Sequence, residues 1–256
     1  MKIAILYIAI GKYAQFWDNF YENMNSYFLT EHNKTYFVFS DNEVLKGGGD
    51  VCLKYVQDKA WPFNTLDRFE MFLTVKTKLL KYDYIFFCNA NYVPLQNIFL
   101  DELLGKKKLC CLSWNVYNKN TFPYERNLRS EAYIAHNDGK QYCQGGFNGG
   151  YKKDFLDLIE KCYENTEKDK KNGITAISHD ESHLNKYLLN KDVNILETKY
   201  GRPQEWKIPK NPKAIFLDKN TILGKEYMTK IKGREISWKK LPFRIKRKIK
   251  SILKIK

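Results

Sequence analysis

The sequence predicts an α/β fold in which helices flank a mainly parallel sheet. Short apolar segments alternate with longer amphipathic ones through the first half of the chain, and 256 residues are enough to bury a substantial core. Predicted strands cover residues 3–10, 34–41, 83–88 and 108–114, and predicted helices cover residues 14–29, 65–81, 152–168 and about 179–189. Residues 142–150, YCQGGFNGG, are rich in glycine and are predicted to form a loop.

Two of these elements carry more detailed expectations. The first strand, within MKIAILYIAIGKY, is preferred to a signal peptide because its apolar stretch is short and no small-residue cleavage site follows. No segment approaches the ~20 apolar residues of a membrane span, so we expect a cytoplasmic protein. In helix 65–81, the spacing directs five residues toward the core: Leu66, Phe69, Phe72, Leu73 and Leu80.

The six cysteines are expected to be buried free thiols. None forms a CxxC pair, and no group of cysteines and histidines has zinc spacing. Cys88 and the pair Cys110 and Cys111 lie in apolar predicted strands. Disulfides would need an oxidising compartment, and the sequence gives no sign of one.

The net charge of +15 is concentrated near the C-terminus. Nine Lys or Arg residues and no acidic residue lie between Lys239 and Lys256, so the rest of the chain carries +6. In a helical projection, the apolar residues of this segment lie on one side and most basic residues on the other. We therefore expect residues 239–256 to be a basic amphipathic tail that contacts anionic lipid at the inner face of the cell membrane. A solvated helix or a disordered arm is the alternative.

Two polar clusters are candidates for a functional site. Asn89-Ala90-Asn91 directly follows the strand 83–88, and ligands of open α/β sheets bind beyond the carboxyl ends of strands. The alternative is a simple turn, since Asn adopts left-handed backbone readily. Residues 179–183, HDESH, place two acidic residues at the start of a predicted helix, where they would also be favoured as caps. The glutamate is one position away from the HExxH pattern, which argues against a zinc protease.

Several segments resemble, in order, the family 6 glycosyltransferases, which include the histo-blood-group A and B transferases and the α-1,3-galactosyltransferases. HDESHLNKYLL (179–189) resembles the family signature, and YIAIGKY (7–13) resembles its uridine-binding start. Further matches are WPFNTLDRFEMF (61–72), FPYERNLRSEAYI (122–134), GGFNGG (145–150) and IPKNPKAI (208–215). The resemblance extends from about residue 3 to about residue 216.

The resemblance implies a GT-A fold with a nucleotide-binding half and an acceptor-binding half. Residues 1–238 would form the catalytic domain, with residues 1–110 mainly nucleotide-binding and residues 111–238 mainly acceptor-binding and catalytic. It also implies a retaining α-1,3-glycosyltransferase that uses UDP-GalNAc or UDP-Gal. The acceptor would be an oligosaccharide or glycolipid that contains galactose, fucosylated as in the blood-group H antigen.

The family motifs assign roles to individual residues. Glu181 matches the catalytic glutamate, which would act as a nucleophile in a double displacement or steady an oxocarbenium-like centre in front-face attack. The residues expected to bind the donor are Ala9, Ile10, Tyr13, Arg68, Asn89, Ala90, Asn91, Gly145, Gly146, Asp180 and Lys210. Those expected to bind the acceptor are Trp114, Gln144 and His179. Core packing of Tyr13 and a solvated helix position for Arg68 are the alternatives.

The resemblance departs from the animal enzymes at the residues that hold their metal. Animal members have Asp-Val-Asp, which binds Mn²⁺, where this chain has Asn89-Ala90-Asn91, as bacterial members of the family do. Neutral amides are weak ligands for hard dications, so we expect catalysis without a metal or another cofactor. The charge of the departing UDP would then be met by amide groups and Lys210, with Lys213 and Lys219 as weaker candidates.

Three further positions bear on charge and specificity. Phe216 stands where the family has an arginine, and Ser178 stands where it usually has a tryptophan. Gly146 is the smaller option at the position that separates galactose from N-acetylgalactosamine enzymes, so UDP-GalNAc is the favoured donor.

The competing interpretations are an inactive carbohydrate-binding relic and a basic nucleic-acid-binding module. The retained Glu181 argues against the relic, and the lack of a nucleic-acid motif argues against the module.

Overall fold

The structure is a computed structural model that describes residues 1–42, 45, 48–114, 120–206 and 210–233. Residues 1–218 form one compact unit, and the described residues 219–233 belong to a second. The division predicted at residue 110 falls inside the first unit. The predicted tail, residues 239–256, lies outside the described residues, as does the domain boundary predicted at residue 238.

The sheet of the first unit is mainly parallel, as predicted. Its strands, with those of a small second sheet, are β1 (Lys2–Ile8), β2 (Asn33–Ser40), β3 (Val51–Tyr55), β4 (Tyr84–Cys88), β5 (Tyr92–Pro94), β6 (Leu109–Ser113), β7 (Cys143–Tyr151), β8 (Val193–Leu196) and β9 (Ala214–Phe216). Seven of them form one sheet in the order β3-β2-β1-β4-β7-β6-β8, and β5 pairs with β9. β1 is parallel to β2 and β4, β2 to β3, and β6 to β8, whereas β7 is antiparallel to both of its neighbours.

Helices pack on both faces of this sheet. The helices of the first unit are α1 (Trp17–Tyr27), α2 (Phe63–Leu66), α3 (Arg68–Leu73), α4 (Lys76–Leu79), α5 (Leu100–Leu104), α6 (Lys152–Lys171) and α7 (Asp180–Leu188). The second unit, described by itself, contains α8 (Lys219–Leu223) and α9 (Lys225–Gly233). Because strand residues alternate, Ala4 and Leu6 of β1 share a core cluster with side chains of α3, α6 and α7, while Tyr7 packs against Trp17 and Phe20 of α1. No helix in the described ranges has both the length and the apolar character needed to span a bilayer.

The predicted helix 65–81 is broken into three short helices. α3 ends at Leu73 and α4 begins at Lys76, so the residues that follow the break have a different phase. Leu79 is consequently buried, whereas Leu80, which the unbroken spacing places in the core, is 52% exposed. The residues before the break face the core as predicted: Leu66, Phe69 and Phe72 are buried, and Leu73 is half-buried and packs against the core.

Residues 143–150 are not the loop that their glycine content predicts but most of strand β7. The glycines are needed because β7 runs between two strands that approach it closely. A Cβ at Gly149 would lie 2.1 Å from Cδ1 of Phe86, and one at Gly150 would lie 2.2 Å from the carbonyl oxygen of Lys108. The glycines therefore permit close packing within a sheet rather than a turn.

The prediction of free thiols is wrong for two of the six cysteines. Cys111 on β6 and Cys143 on β7 form a disulfide, with their Cα atoms 5.9 Å apart. They are separated by 32 residues, and the antiparallel pairing that brings them together cannot be inferred from cysteine spacing. The remaining four are free, as expected: Cys88, Cys110 and Cys162 are buried, and Cys52 is half-buried.

Candidate active site

The predicted nucleotide-binding residues gather at one edge of the large sheet. Ala9 and Ile10 follow β1 and are buried, and Tyr13 is half-buried in the short 3₁₀-helix that comes next. The Asn89 turn follows β4, and the backbone amide of Asn89 donates to the carbonyl of Gly146 on β7 (2.8 Å). Because β1 and β4 are parallel and β7 is antiparallel to them, the ends of two strands and the start of a third meet here.

Glu181 lies in the first turn of α7 with both carboxylate oxygens hydrogen-bonded. Its Oε1 accepts a hydrogen bond from the hydroxyl of Tyr142 (2.6 Å), and its Oε2 accepts one from the backbone amide of Gly145 (2.5 Å). Both donors belong to the beginning of β7 or the residue before it. The carboxyl group is thus fixed against the strand, while the side chain keeps some exposure to solvent.

These surroundings raise the pKa of Glu181 from its usual 4.5 to about 7. The largest cause is burial of the carboxyl group, which disfavours the charged form, and the negative charge of Asp180 acts in the same direction. The hydrogen bonds from Tyr142 and Gly145 and the positive charge of Arg68 lower the pKa. Glu181 therefore changes its charge near neutral pH, which is common for groups that take part in catalysis.

A buried ion pair lies beside Glu181. Nη2 of Arg68 is 2.8 Å from Oδ2 of Asp180, and each side chain is only 4% exposed. Nη1 of Arg68 donates to the carbonyl of Gly145 (2.8 Å), and the guanidinium lies 4.6 Å from the ring centre of Phe87. Burial raises the pKa of Asp180, and the charge of Arg68 opposes that effect. Arg68 is therefore not on a solvated helix face.

His179 precedes α7 in a backbone conformation that is rare for residues with a side chain, with φ 52° and ψ −125°. Strain of this kind is concentrated at functional sites. The ring of His179 lies 4.9 Å from the ring of Trp61, nearly edge-on. Nε1 of Trp61 is buried and has no hydrogen-bond partner in the described part of the chain. The two rings thus lie directly ahead of the acidic residues of α7.

The Asn89-Ala90-Asn91 turn is held by contacts to both sides. Nδ2 of Asn91 donates to the carbonyl of Leu217 (2.7 Å), and the amide of Leu217 donates back to the carbonyl of Asn91 (2.8 Å). The carbonyl of Ala90 accepts a hydrogen bond from the hydroxyl of Tyr7 (3.3 Å). The side-chain amide of Asn91 therefore makes a structural hydrogen bond, whereas Asn89 is half-buried at the edge of the sheet.

This turn does not fit a divalent metal. Oδ1 of Asn91 is the buried oxygen that finds no hydrogen-bond partner among the described residues, and it is neutral. Hard dications are held by several oxygen ligands that include carboxylates. Within the described ranges, no three His, Cys, Asp or Glu side chains are grouped so as to hold a metal ion.

Phe216 occupies the space beside Gly146. A Cβ at Gly146 would lie 2.9 Å from Cε1 of Phe216 and 2.6 Å from Oε1 of Gln144. Protein atoms therefore fill the volume that the missing side chain leaves, and the geometry gives no support to the expectation that Gly146 makes room for an acetamido group. Gly145 differs, because a Cβ there would lie 3.3 Å from Oε2 of Glu181. It is the glycine that faces the acidic residues.

Two of the predicted acceptor residues, Trp114 and Gln144, lie where the end of β6 pairs with the start of β7. The ring of Trp114 packs against that of Trp206, with 4.9 Å between centroids and 32° between planes, and both residues are half-buried. The guanidinium of Arg202 lies 5.5 Å from the ring centre of Trp206. Gln144 is buried, and its Nε2 has no hydrogen-bond partner within the described ranges. Aromatic faces with a few polar donors are typical of small-molecule sites.

The candidate cations for a diphosphate differ in their contacts. Lys210 is exposed. Lys213 donates to Oε1 of Glu102 (2.6 Å) and to the carbonyl of Asn97 (2.8 Å), which makes it a structural residue. Lys219 belongs to the second compact unit. Of the two candidate lysines in the first unit, Lys210 and Lys213, Lys210 is therefore the better candidate for a contact with the diphosphate.

Sequence reasoning missed Tyr142 and Trp206. Tyr142 begins the segment for which a loop is predicted, and in a loop its hydroxyl has no expected partner. The signal was its place directly before the glycines of β7, opposite a helix that starts with two acidic residues. Trp206 stands alone in a polar stretch, where a large aromatic residue is unusual and often marks a binding surface.

Comparison with known proteins agrees with this arrangement. The sequence profile of glycosyltransferase family 6 matches residues 1–229. The chain belongs to glycosyltransferase family 6. It is 34% identical over 223 residues to the O-antigen biosynthesis glycosyltransferase WbnI of Escherichia coli, a match that covers 86% of this chain and 95% of that protein.

More distant relatives in the same family come from animals. The chain is 29% identical to the histo-blood group ABO system transferase 1 of Rattus norvegicus, over 83% of this chain and 68% of that protein. It is 27% identical to the globoside alpha-1,3-N-acetylgalactosaminyltransferase 1 of Gallus gallus, over 89% and 68%. The predicted family, its enzyme class and an α/β architecture consistent with the GT-A fold are confirmed. Family membership implies a nucleotide-sugar donor and a glycan acceptor.

Proposed function

We propose that this family 6 enzyme transfers N-acetylgalactosamine or galactose from a UDP-sugar to a galactose-containing glycan, with retention and in α-1,3 linkage. The observation that carries the proposal is the carboxyl group of Glu181, which is held by Tyr142 and Gly145 and ionises near neutral pH. A carboxylate fixed in this way can meet the positive charge that develops at the anomeric carbon of a donor sugar.

The reaction exchanges one bond at the anomeric carbon for another. The bond to the β-phosphate oxygen breaks, UDP leaves with the bonding electrons, and a bond to the acceptor hydroxyl oxygen forms. The hydroxyl proton is taken up by the departing phosphate. Glu181 serves both routes to retention, either as the nucleophile of a glycosyl-enzyme or as the countercharge in front-face attack. Asp180, oriented by Arg68, would accept hydrogen bonds from donor hydroxyls.

We assign the nucleotide to the sheet edge formed by the ends of β1 and β4. Ala9, Ile10 and Tyr13 would bind uracil, and the Asn89 turn with Lys210 would face the diphosphate. Asparagines in place of carboxylates remove two negative charges from the neighbourhood of the phosphates. In this proposal the departing UDP is stabilised by amide donors and Lys210, without a divalent metal.

The names of the relatives guide the choice of sugars. N-acetylgalactosamine is the favoured donor sugar because one relative is named an alpha-1,3-N-acetylgalactosaminyltransferase. A fucosylated, H-antigen-like acceptor is favoured because another is named a histo-blood group ABO transferase. Trp114, Trp206, Gln144 and His179 would bind this acceptor. The basic segment 239–256 would hold the enzyme at the inner face of the cell membrane, close to a glycolipid acceptor.

The test is release of UDP from UDP-GalNAc and from UDP-Gal with 2′-fucosyllactose, once in EDTA and once in Mn²⁺. Glu181→Gln removes the proposed catalytic charge. Glu164→Gln is the matched control, because Glu164 is an exposed glutamate that forms an ion pair with Lys161 on the same helix.

Turnover in EDTA that Glu181→Gln abolishes and Glu164→Gln preserves would support the proposal. Turnover in Mn²⁺ alone would show that a metal is needed and that the Asn89 turn has been misinterpreted. Binding of the acceptor without turnover under either condition would favour the inactive carbohydrate-binding relic.

A further inference from the structure

The first residues of β7 lack a strand partner on one side. The carbonyl of Tyr142 accepts from the amide of Trp114, so Tyr142 points its backbone groups toward β6. Backbone groups alternate along a strand, so those of Cys143 and Gly145 point to the opposite side. The pairing of β4 with β7 runs from Phe147 to Tyr151, and the last bond between them joins Asn89 to Gly146. Cys143 and Gly145 therefore lie beyond the end of β4.

Side chains take the place of the missing strand. At Gly145, Glu181 accepts from the amide and Arg68 donates to the carbonyl (2.5 and 2.8 Å). At Cys143, one side chain serves both groups: Oδ1 of Asn185 accepts from the amide (2.9 Å), and Nδ2 of Asn185 donates to the carbonyl (2.8 Å). The carboxamide of Asn185 thus pairs with Cys143 as a neighbouring peptide would.

Asn185 also ties this pairing to the turn that bears Glu181. Its Nδ2 donates to the backbone carbonyl of Glu181 (2.8 Å), four residues earlier on the same face of α7. Asn185 is only 4% exposed and Cys143 only 3%, so these bonds do not compete with water. Cys143 stands between Tyr142 and Gly145, the two residues that donate to the Glu181 carboxylate.

We propose that Asn185 is the positioning residue for Glu181. It fixes the register of α7 along the open edge of β7, so that the carboxylate meets the Tyr142 hydroxyl and the Gly145 amide together. The inference rests on the proposed function, because it gives Glu181 the reacting role. Without the carboxamide, the helix can shift along the strand, and a displacement of about 1 Å at a reacting group can lower turnover about a hundredfold.

The titration of Glu181 distinguishes positioning from mere support of the fold. The charged groups that face its carboxyl are Asp180 on α7 and Arg68 on α3, whereas the hydrogen bonds of Asn185 described above go to the backbone of Cys143 and Glu181. The hydrogen bonds from Tyr142 and Gly145 lower the pKa. If Asn185 maintains these two bonds, its removal raises the pKa of Glu181 while the charges around it stay the same.

The experiment compares Asn185→Ala, Asn185→Leu and Asn194→Ala with the wild type. Asn194 is the matched control, since its Nδ2 also bonds backbone carbonyls, those of Leu103 (2.8 Å) and Glu102 (3.3 Å), away from α7. The carboxyl of Glu181 is titrated by ¹³C NMR of glutamate-labelled protein, with its signal assigned through Glu181→Gln. kcat and KM for the UDP-sugar are measured on the same samples.

Positioning predicts that both Asn185 variants raise the Glu181 midpoint by about one pH unit. It also predicts that they lower kcat about a hundredfold and change KM by less than about threefold. Asn194→Ala should leave all three values unchanged. Asn185→Leu fills the same volume and carries the test if Asn185→Ala does not fold. A wild-type midpoint in the Asn185 variants would overturn the proposal, whether or not kcat falls.

The titration does not depend on turnover. An enzyme that releases no UDP from any sugar nucleotide would refute the proposed function. The midpoint of Glu181 in the Asn185 variants would still decide whether Asn185 holds the carboxylate against β7.

Discussion

Replacing Glu181 by glutamine should make the stability of the protein less sensitive to pH. The folded protein binds a proton at Glu181 more tightly than the unfolded chain does, because the pKa rises from 4.5 to about 7 on folding. A raised carboxyl pKa stabilises the fold below the unfolded pKa, and that contribution is lost as the pH rises through the folded pKa. Glutamine carries no titrating proton, so this loss is absent in the variant.

The size of the effect follows from the two pKa values. The wild type should lose about 2.5 kcal/mol of unfolding free energy between pH 5 and pH 8 through this group alone. Other titrating groups, including the buried Asp180, are present in both proteins and largely cancel in the difference. Any constant cost of the lost carboxylate hydrogen bonds also cancels, because it affects both pH values equally.

Urea unfolding of the wild type and of Glu181→Gln at pH 5 and pH 8 measures this difference directly. The free energy of the variant relative to the wild type should be about 2.5 kcal/mol more favourable at pH 8 than at pH 5. Glu164→Gln controls for the removal of a negative charge from the protein. If the free energy of the variant relative to the wild type is the same at pH 5 and pH 8, Glu181 has an ordinary pKa in the folded protein. The conclusion that this carboxyl ionises near neutral pH would then be wrong.

Three further changes test other parts of the site. Tyr142→Phe should raise the midpoint of the pH profile of kcat/KM by about one unit, because it removes one hydrogen bond to the ionised carboxylate while the ring is kept; an unmoved midpoint would contradict this. Arg68→Met should cost about 3–5 kcal/mol in urea unfolding, because Asp180 is left buried and unpaired; a loss under about 1 kcal/mol would mean that water already reaches that carboxylate. Gly146→Ala should cost about 1–3 kcal/mol, because its Cβ meets Phe216 at 2.9 Å, and combining it with Phe216→Ala should recover part of the loss. No recovery would mean that the strain lies against Oε1 of Gln144, which the Cβ would meet at 2.6 Å, or in the backbone of β7, rather than against the ring.

The residues around Glu181 could be predicted from sequence to the extent that they lie in short motifs. The acidic pair of α7, the arginine of α3 and the glycines of β7 each stand out locally, and the family resemblance groups them. The fold class follows from the alternation of apolar segments, which the sheet confirms. Asn91 shows the limit, since its bond to Leu217 joins residues 126 positions apart.

The features that escaped prediction depend on neighbours distant in sequence. The glycines of β7 predict a loop from their local sequence, whereas in the structure Phe86 and the backbone of Lys108 lie so close to them that a Cβ would clash. Cys111 and Cys143 meet only because two antiparallel strands pair, and Leu80 turns outward only because α3 and α4 are separate. The sequence shows that Phe216 stands where the family has an arginine, but it does not show that Phe216 contacts Gly146. In each case a tertiary contact overrides a local propensity.

The open edge of β7 also has a consequence for synthesis of the chain. Glu181 and Arg68 reach Gly145 across 36 and 77 residues, and Asn185 reaches Cys143 across 42. In a growing chain that has not yet released α7 from the ribosome, Cys143 and Gly145 lack the partners that Asn185 and Glu181 give them. The arrangement around Glu181 can therefore form only after residues 180–188 have been synthesised, so the site is completed late in synthesis of the chain.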